Sequence, residues 1–315
     1  MPQQALPAGA TVAQMPGVLA ENCPEETALW QRGADRLTFA ELDVAVADLA
    51  LGLIKAGLGP GSRVVAWTDP SSGYLRLFLA AARAGLVVIP VDGQHAVGEV
   101  ERIAAQLSAE AVYLGGSQRG ASVRIGRGVA LTITERPAAG SRSLEELGVD
   151  AGGVGAAGPE PQAPLMILPG AGDEFLRRAV LLSHRAIKSM CRLNAIAFRL
   201  PVRGSLIWPS YPGGLAEFTA TALAHLHVGS STGIVEPGEY AGALADDPGG
   251  LVYAHHEALA HGLAQDVRDV TGVGTVYLPV SVGVSGCGTE FADDAPVLRG
   301  WDPPEHGMAL GHGLA

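Results

Sequence analysis

The chain has 315 residues, of which 48% are hydrophobic, and it carries a formal net charge of −11 at pH 7. This length can bury one large core or two modest ones, and the acidic balance argues against binding of a nucleic-acid backbone. No run of 18 apolar residues occurs, so we expect no membrane span. The N-terminus lacks the regions of a signal peptide, and the three cysteines share no metal-like spacing. We therefore expect a cytoplasmic protein.

Helix-like and strand-like patterns alternate in the first part of the chain. Apolar residues recur at helical spacing from Thr38 to Gly57, and the glycine suits the end of a helix. Ser71 or Ser72 is placed to cap a second helix that ends at Gly85. The patterns also predict strands over 63–68, 86–91 and 111–114 and a helix over 97–107. Because apolar strands that alternate with helices favour buried parallel sheets, we predict an α/β fold.

The composition changes between Arg136 and Pro164, where glycine, alanine and proline dominate. We interpret residues 141–164 as a linker between a first α/β subdomain over 1–140 and a second over 165–315. In the second subdomain the patterns predict strands over 165–168, 179–182, 205–208, 232–235, 251–254 and 276–280, and helices over 183–198, 214–227 and 256–270. After Gly283 no element is predicted, so this subdomain should end in an irregular tail.

Several short motifs follow one another in a fixed order. A helix begins with LTFAEL, the text GLGPGSRVV leads into a strand, and a second helix ends in RAG before VVIPVD. Later segments read VLLSHRAI and LIWPSYPGGLAEF. These motifs resemble the acyl-adenylate-forming superfamily of AMP-dependent synthetases and ligases, which includes acyl-CoA synthetases, nonribosomal adenylation domains and luciferases. The resemblance implies two related sheet-and-helix subdomains like the large N-terminal lobe of these enzymes, without their C-terminal domain.

The resemblance also identifies a nucleotide-binding loop at residues 170–178. The superfamily holds ATP phosphates with a loop of glycine, serine and threonine that ends near a lysine. Here Gly170, Ala171 and Gly172 keep the small residues, and Arg178 stands where the lysine is expected. Asp173 and Glu174 lie near the positions of the missing hydroxyls, and their carboxylates would repel a triphosphate. The alternative interpretation is an ordinary surface loop.

The later motifs of the superfamily are incomplete in this chain. The text SGCGTEFAD puts Thr289 and Glu290 where the family binds phosphate and Mg²⁺, so Glu290 is the predicted metal ligand. Gly286 takes the place of the aromatic residue of that motif. The two lysines, Lys55 and Lys188, do not lie where the family's catalytic lysine does. ATP and Mg²⁺ are therefore expected cofactors only if the chain is active, and no catalytic residue is assigned.

The resemblance places a substrate pocket near two further motifs. His184 belongs to the SHR motif, and Tyr211, Gly213 and Gly214 lie between a predicted strand and a predicted helix. The stretch HHEALAH (His255 to His261) is not expected to bind zinc, because the separation of five residues between His256 and His261 turns them to different faces of a helix.

Three hypotheses account for these motifs. The first is an acyl-CoA-synthetase-like ligase that is truncated and weakly active or inactive in carboxylate adenylation. The second is a non-catalytic module that binds an acyl ligand or a carrier protein. The third is a subunit that a partner chain completes in a homo- or hetero-oligomer, since an incomplete lobe leaves apolar surface to cover. A small carboxylic acid or acyl ligand is the expected partner molecule, and nucleic acid is not.

Overall fold

The computed structural model describes residues 10–33, 36–116, 118, 121, 131–149, 158–169, 179–197, 200–210, 214–236, 239 and 242–243, with the backbone of 251–253, 275–281 and 297–302. Within these ranges it contains two seven-stranded sheets and seven α-helices. The predicted α/β class is therefore confirmed.

The helices and strands have the following bounds. The helices are α1 (Met15–Asn22), α2 (Phe39–Lys55), α3 (Ser72–Ala84), α4 (Val97–Gln106), α5 (Leu144–Val149), α6 (His184–Ala197) and α7 (Leu215–His227). The strands are β1 (Thr27–Gln31), β2 (Arg36–Thr38), β3 (Arg63–Thr68), β4 (Val87–Asp92), β5 (Ala111–Leu114), β6 (Leu131–Thr134), β7 (Arg142–Ser143), β8 (Pro164–Leu168), β9 (Val180–Ser183), β10 (Ser205–Pro209), β11 (Ser231–Val235), β12 (Leu251–Tyr253), β13 (Thr275–Ser281) and β14 (Val297–Asp302).

The chain forms two compact units that are interleaved along the sequence. Unit 1 comprises Met1–Glu26, Leu37–Ser189 and Pro212–Ala216. Unit 2 comprises Thr27–Arg36, Met190–Tyr211 and Glu217–Ala315. The predicted subdomains, 1–140 and 165–315, are consecutive instead. The difference arises because strands that are far apart in sequence pair in one sheet, which local patterns do not reveal.

The sheet of unit 1 has the strand order β7-β6-β5-β3-β4-β8-β9. Neighbouring strands from β7 to β8 run parallel, and only the last pair, β8 and β9, is antiparallel. Val65, Ile89 and Val112 of the central strands are fully buried and pack with Val100 and Ile103 of α4. The carboxyl ends of β3, β4, β5, β6 and β8 consequently lie at one edge of this sheet, which we call the carboxyl edge of unit 1.

Local signals account for the ends of the first helices. Thr38 and Glu41 form a reciprocal capping box at the start of α2, and Gly57 after its end has a φ of +97°. Ser71, rather than Ser72, caps α3 by accepting a hydrogen bond from the amide of Tyr74. Gly85 ends α3 in the left-handed conformation. Both predicted helices are therefore confirmed.

Part of the predicted linker is regular structure. Residues 142–149 form β7 and α5, and Ser143 and Glu146 exchange side-chain-to-backbone hydrogen bonds of 3.1 and 2.8 Å at the start of α5. Leu144 and Leu147 of α5 are buried. The glycine, alanine and proline content hid this short helix, whose stability depends on the burial of two leucines rather than on periodicity.

The sheet of unit 2 has the strand order β14-β13-β12-β10-β11-β1-β2. Strand β1 pairs in parallel with β11, and β11, β10, β12, β13 and β14 form a parallel series. Strand β14 lies in the region predicted as an irregular tail, while the helix predicted over 256–270 lies outside the described residues. None of the described helices has the length and apolar character needed to cross a membrane.

Candidate functional site

The carboxyl edge of unit 1 is the candidate site. Ligands of α/β proteins bind outside the carboxyl ends of the parallel strands, where loops leave the sheet. The predicted nucleotide-binding loop leaves from this edge, because β8 runs parallel to its neighbour β4 and ends at Leu168. Leu168 pairs with Val180 of β9, so residues 169–179 connect the two strands. Gly170, Ala171, Gly172 and Arg178 themselves lie outside the described residues.

Asp92 links this edge to the start of α7. Its Oδ1 accepts a hydrogen bond of 2.9 Å from the amide nitrogen of Leu215, the first residue of the helix. Gly214 precedes this residue with a φ of +70°, a conformation that favours glycine. The structure therefore brings Gly214 to the end of β4, the strand beside the one from which the predicted loop leaves. Tyr211 and Gly213 lie outside the described residues.

Replacing Asp92 by alanine should loosen the start of α7. The change removes the acceptor for a first-turn amide, which typically costs about 1–2 kcal/mol of unfolding free energy. Urea unfolding would measure this loss, and hydrogen exchange would show faster exchange of the Leu215 amide. Asp92→Asn is the matched control, because its side-chain oxygen can still accept the hydrogen bond. Equal losses in both variants would contradict the capping role.

Other polar side chains pack closely against glycines at the same edge. Gln118 Nε2 donates a hydrogen bond of 2.9 Å to the carbonyl oxygen of Gly93. A Cβ atom at Gly93 would lie 2.2 Å from Asp69 Oδ1 and 2.8 Å from Gln118 Nε2. Asp69 directly follows β3 and Asp92 ends β4, so two carboxylates stand at adjacent strand ends. The part of the chain that the structure describes shows no group of three or more potential metal ligands.

Asp69, Asp92 and Gln118 are residues that the sequence reasoning missed. A signal was present, because acidic residues at the ends of two predicted parallel strands meet at one edge of a sheet. The family motifs pointed to later segments instead. Asp69 and Asp92 place two carboxyl groups at this edge, and the sequence adds Asp173 and Glu174, with Arg177 and Arg178, to the loop that starts here.

His184 lies at the other end of the β8–β9 pair. Ser183 of β9 pairs with Pro164, the first residue of β8, and the amide of His184 donates to the carbonyl oxygen of Ala163 at 3.1 Å. A strand of five residues spans about 13 Å, so the backbone of His184 is that far along the strand from the start of the predicted loop. The structure therefore does not bring His184 and Gly214 together at one edge.

The imidazole of His184 is fully buried, and among the described residues neither ring nitrogen has a hydrogen-bond partner. Burial lowers the pKa of His184 to about 4. The ring is therefore neutral at pH 7 and supplies no positive charge for a phosphate or carboxylate. Two backbone amides in the first turn of α6 also have hydrogen-bond acceptors. The amide of Ala186 donates to Ser183 Oγ, and the amide of Arg185 donates to the carbonyl oxygen of Pro161.

Thr289 and Glu290, the residues predicted to bind phosphate and Mg²⁺, belong to the segment that joins two parallel strands of unit 2. Thr289 and Glu290 stand in sequence between β13 and β14 and lie outside the described residues, as does the HHEALAH stretch. Strands β13 and β14 pair in parallel from Val276–Val297 to Ser281–Asp302. The segment that contains Thr289 and Glu290 therefore starts at the carboxyl end of β13.

Solved structures of acyl-CoA synthetases share this fold. The fatty acyl-CoA synthetase of Mycobacterium tuberculosis superposes with a TM-score of 0.75 at 18% identity, over 86% of this chain and 55% of that chain. The N-terminal domain of FACL13 from the same organism superposes with a TM-score of 0.76 at 16% identity, over 93% of this chain and 76% of that domain. These likenesses confirm the predicted resemblance to the N-terminal lobe of acyl-adenylating enzymes at the level of fold.

Curated relatives match shorter regions. The mitochondrial medium-chain acyl-CoA ligase ACSF2 of Homo sapiens is 33% identical over 103 residues, which are 32% of this chain and 17% of that protein. The L-proline–[L-prolyl-carrier protein] ligase of Streptomyces coelicolor is 35% identical over 82 residues, which are 26% of this chain and 15% of that protein. The family model described as AMP-binding enzyme matches residues 18–246. Because this match spans well over half of the sequence, the chain belongs to the AMP-binding enzyme family.

Proposed function

We propose that this protein binds a small carboxylic acid as an acyl-CoA-synthetase-like member of its family and adenylates that acid weakly or not at all. Family membership supports the carboxylic-acid ligand, with ATP and Mg²⁺ as the cofactors of any residual activity. The observation that carries the second part is the chemistry of the loop after β8. It starts beside β4, the strand that ends in Asp92, and holds Asp173 and Glu174 in place of hydroxyl residues.

The loop chemistry disfavours the transition state of adenylation. Attack of a carboxylate on the α-phosphate builds negative charge that the protein must neutralise with amides, hydroxyls and cations. Arg178 is a cation in this loop, but its planar fork does not reproduce a lysine ammonium. A carboxylate about 4 Å from a phosphate charge opposes it by about 1 kcal/mol even at the dielectric constant of bulk water. Loss of a single stabilising donor typically slows catalysis by about a hundredfold or more.

ATP binding and pyrophosphate exchange test this proposal. Calorimetry with ATP and Mg²⁺ should give weak binding, and exchange over a panel of fatty and aryl acids should be near background. The variant Asp173→Ser with Glu174→Thr should bind ATP about tenfold more tightly, because two repulsive charges are gone. Glu21→Ser with Glu25→Thr is the control, since it removes two exposed carboxylates elsewhere in unit 1. Rapid acid-dependent exchange by the unmodified protein would overturn the proposal.

A non-catalytic binding module is the second candidate function. A relative with 35% identity over its matched region is named as a ligase for a carrier protein, which supports a carrier protein as an alternative partner. Binding of an acyl or aryl acid without nucleotide would favour this module, in which the neutral ring of His184 would line an apolar pocket. A subunit completed by a second chain would instead appear as a dimer or larger assembly in sedimentation. The cytoplasm remains the proposed location.

A further inference from the structure

The outward face of α6 has an unusual charge. Residues 175–216 contain seven basic residues and no aspartate or glutamate, although the whole chain carries −11. Helix α6 contributes three of the seven, which are Arg185, Lys188 and Arg192. A surface helix of a soluble protein usually mixes both signs of charge, so a single sign here calls for an explanation.

This helix packs inward through His184, Ile187 and Cys191, which are fully buried. The side of α6 away from these buried residues carries a stripe of exposed residues. Its members are spaced by four, three and four positions, as expected for one side of a helix: Arg185, Ser189, Arg192 and Ile196. Leu193 adjoins the stripe and is 45% exposed, while Ile196 is 64% exposed. We call these five residues the basic α6 face.

Exposed aliphatic side chains concentrate around this helix. Of the eight large hydrophobic residues that are exposed in the described part of the chain, five lie within residues 180–202. Val202 is 47% exposed and is followed by the exposed Arg203, in the turn after α6. The amide of Leu200 bonds to the carbonyl oxygen of Ala195 at 2.9 Å, which folds this turn back onto the end of the helix. On α6 itself, Leu193 and Ile196 lie near Arg192 on the exposed side of the helix.

We propose that the basic α6 face docks the protein on an anionic lipid surface, with Arg185 and Arg192 at the headgroups and Leu193 and Ile196 at the acyl boundary. Helices that lie on membranes combine lysine or arginine with large apolar residues, and segments with four to eight basic residues bind anionic lipids. The face has no tryptophan or tyrosine, the residues that together with arginine dominate protein-binding hot spots. A second copy that presents an acidic patch is the alternative occupant, and vesicle binding distinguishes it from a lipid surface. The inference does not depend on adenylation or on acid binding.

Vesicle co-sedimentation of the full chain tests this docking. The protein should sediment with vesicles of equal parts phosphatidylglycerol and phosphatidylcholine and stay in solution with phosphatidylcholine alone. Raising the salt should weaken the binding, because exposed charges are screened. Arg192→Glu changes the face by two charges and should lower vesicle partitioning about tenfold or more. Leu193→Ser with Ile196→Ser should also lower it, whereas Arg192→Lys should leave it nearly unchanged.

Arg102→Glu is the matched control, because it makes the same charge change on the exposed surface of α4. Its vesicle partitioning should stay within about twofold of the unmodified protein. Circular dichroism at each variant's working concentration would confirm that the fold is kept. Equal sedimentation with both vesicle types, or equal losses in Arg102→Glu and Arg192→Glu, would overturn the proposal. Self-association that Arg192→Glu abolishes, without vesicle binding, would also overturn it and assign the face to a second copy.

Discussion

Lowering the pH from 7 to 4 should destabilise the protein strongly, because two buried histidines are held neutral. His225 of α7 and His184 at the start of α6 are both fully buried. Within the described residues, no ring nitrogen of either histidine has a hydrogen-bond partner. Burial lowers the pKa of His225 to about 3 and that of His184 to about 4, from an ordinary value of 6.5. The folded protein therefore resists protonation that the unfolded chain accepts.

The direction of the effect follows from proton linkage. Below pH 6.5 the unfolded chain binds more protons than the folded protein, so the free energy of unfolding falls as the pH falls. Each neutral, buried histidine leaves the free energy of unfolding undiminished above pH 6.5. Below pH 6.5 the free energy of unfolding falls progressively until the pH reaches the pKa of that histidine in the folded protein. Between pH 6.5 and 4 each histidine lowers the free energy of unfolding by about 1.4 kcal/mol per pH unit, or by about 3 kcal/mol per histidine.

The variant His225→Leu isolates one of the two contributions. It removes the titrating ring, so the unfolding free energy should depend less steeply on pH between 6 and 4, by about 1.4 kcal/mol per pH unit. Urea unfolding at several pH values would measure this slope. Phe218→Leu is the control on the same helix, because it removes buried apolar volume and should lower stability equally at every pH. An unchanged slope in His225→Leu would show that His225 is not the source.

Replacing Gly52 by alanine should destabilise unit 1 by about 1–3 kcal/mol, although alanine is normally the better helix former. Gly52 lies in α2, where a Cβ atom would be 1.9 Å from the carbonyl oxygen and 2.6 Å from the carbonyl carbon of Leu147. Both are backbone atoms of α5, so no side-chain rotation can relieve the overlap. Helix α5 would have to shift, and Leu147, which is fully buried, would lose its packing.

Thermal or urea unfolding would measure the loss in Gly52→Ala, and hydrogen exchange should show reduced protection of the α5 amides. Gly98→Ala in α4 is the matched control, because a Cβ atom there meets nothing within 4 Å. That change should be neutral or stabilise by up to about 1 kcal/mol, as expected for alanine in an open helix. If Gly52→Ala were as stable as Gly98→Ala, the close approach of α2 and α5 would be refuted.

Local signals in the sequence determined the helices and the buried strands of unit 1. Gly85 was predicted as the end of α3, and Ser71 was one of two candidate caps at its start, because such residues act on neighbours within a few positions. The largely apolar strands β3, β4 and β5 likewise predicted a buried parallel sheet. The order of motifs predicted the family, and the sequence of the loop after β8 already showed Asp173 and Glu174 near the positions of the expected hydroxyl residues.

Tertiary structure decided which segments meet. Strand β1 pairs with β11, about two hundred residues later, and nothing in its five residues identifies that partner. Asp92 bonds to Leu215 across 123 positions, while His184 lies at the far end of a strand pair from the loop that precedes it. Hydrophobic periodicity and helix capping depend on interactions between residues of the same helical turn or strand. Pairing and edge position depend on packing between distant segments, so these features became visible only in the folded chain.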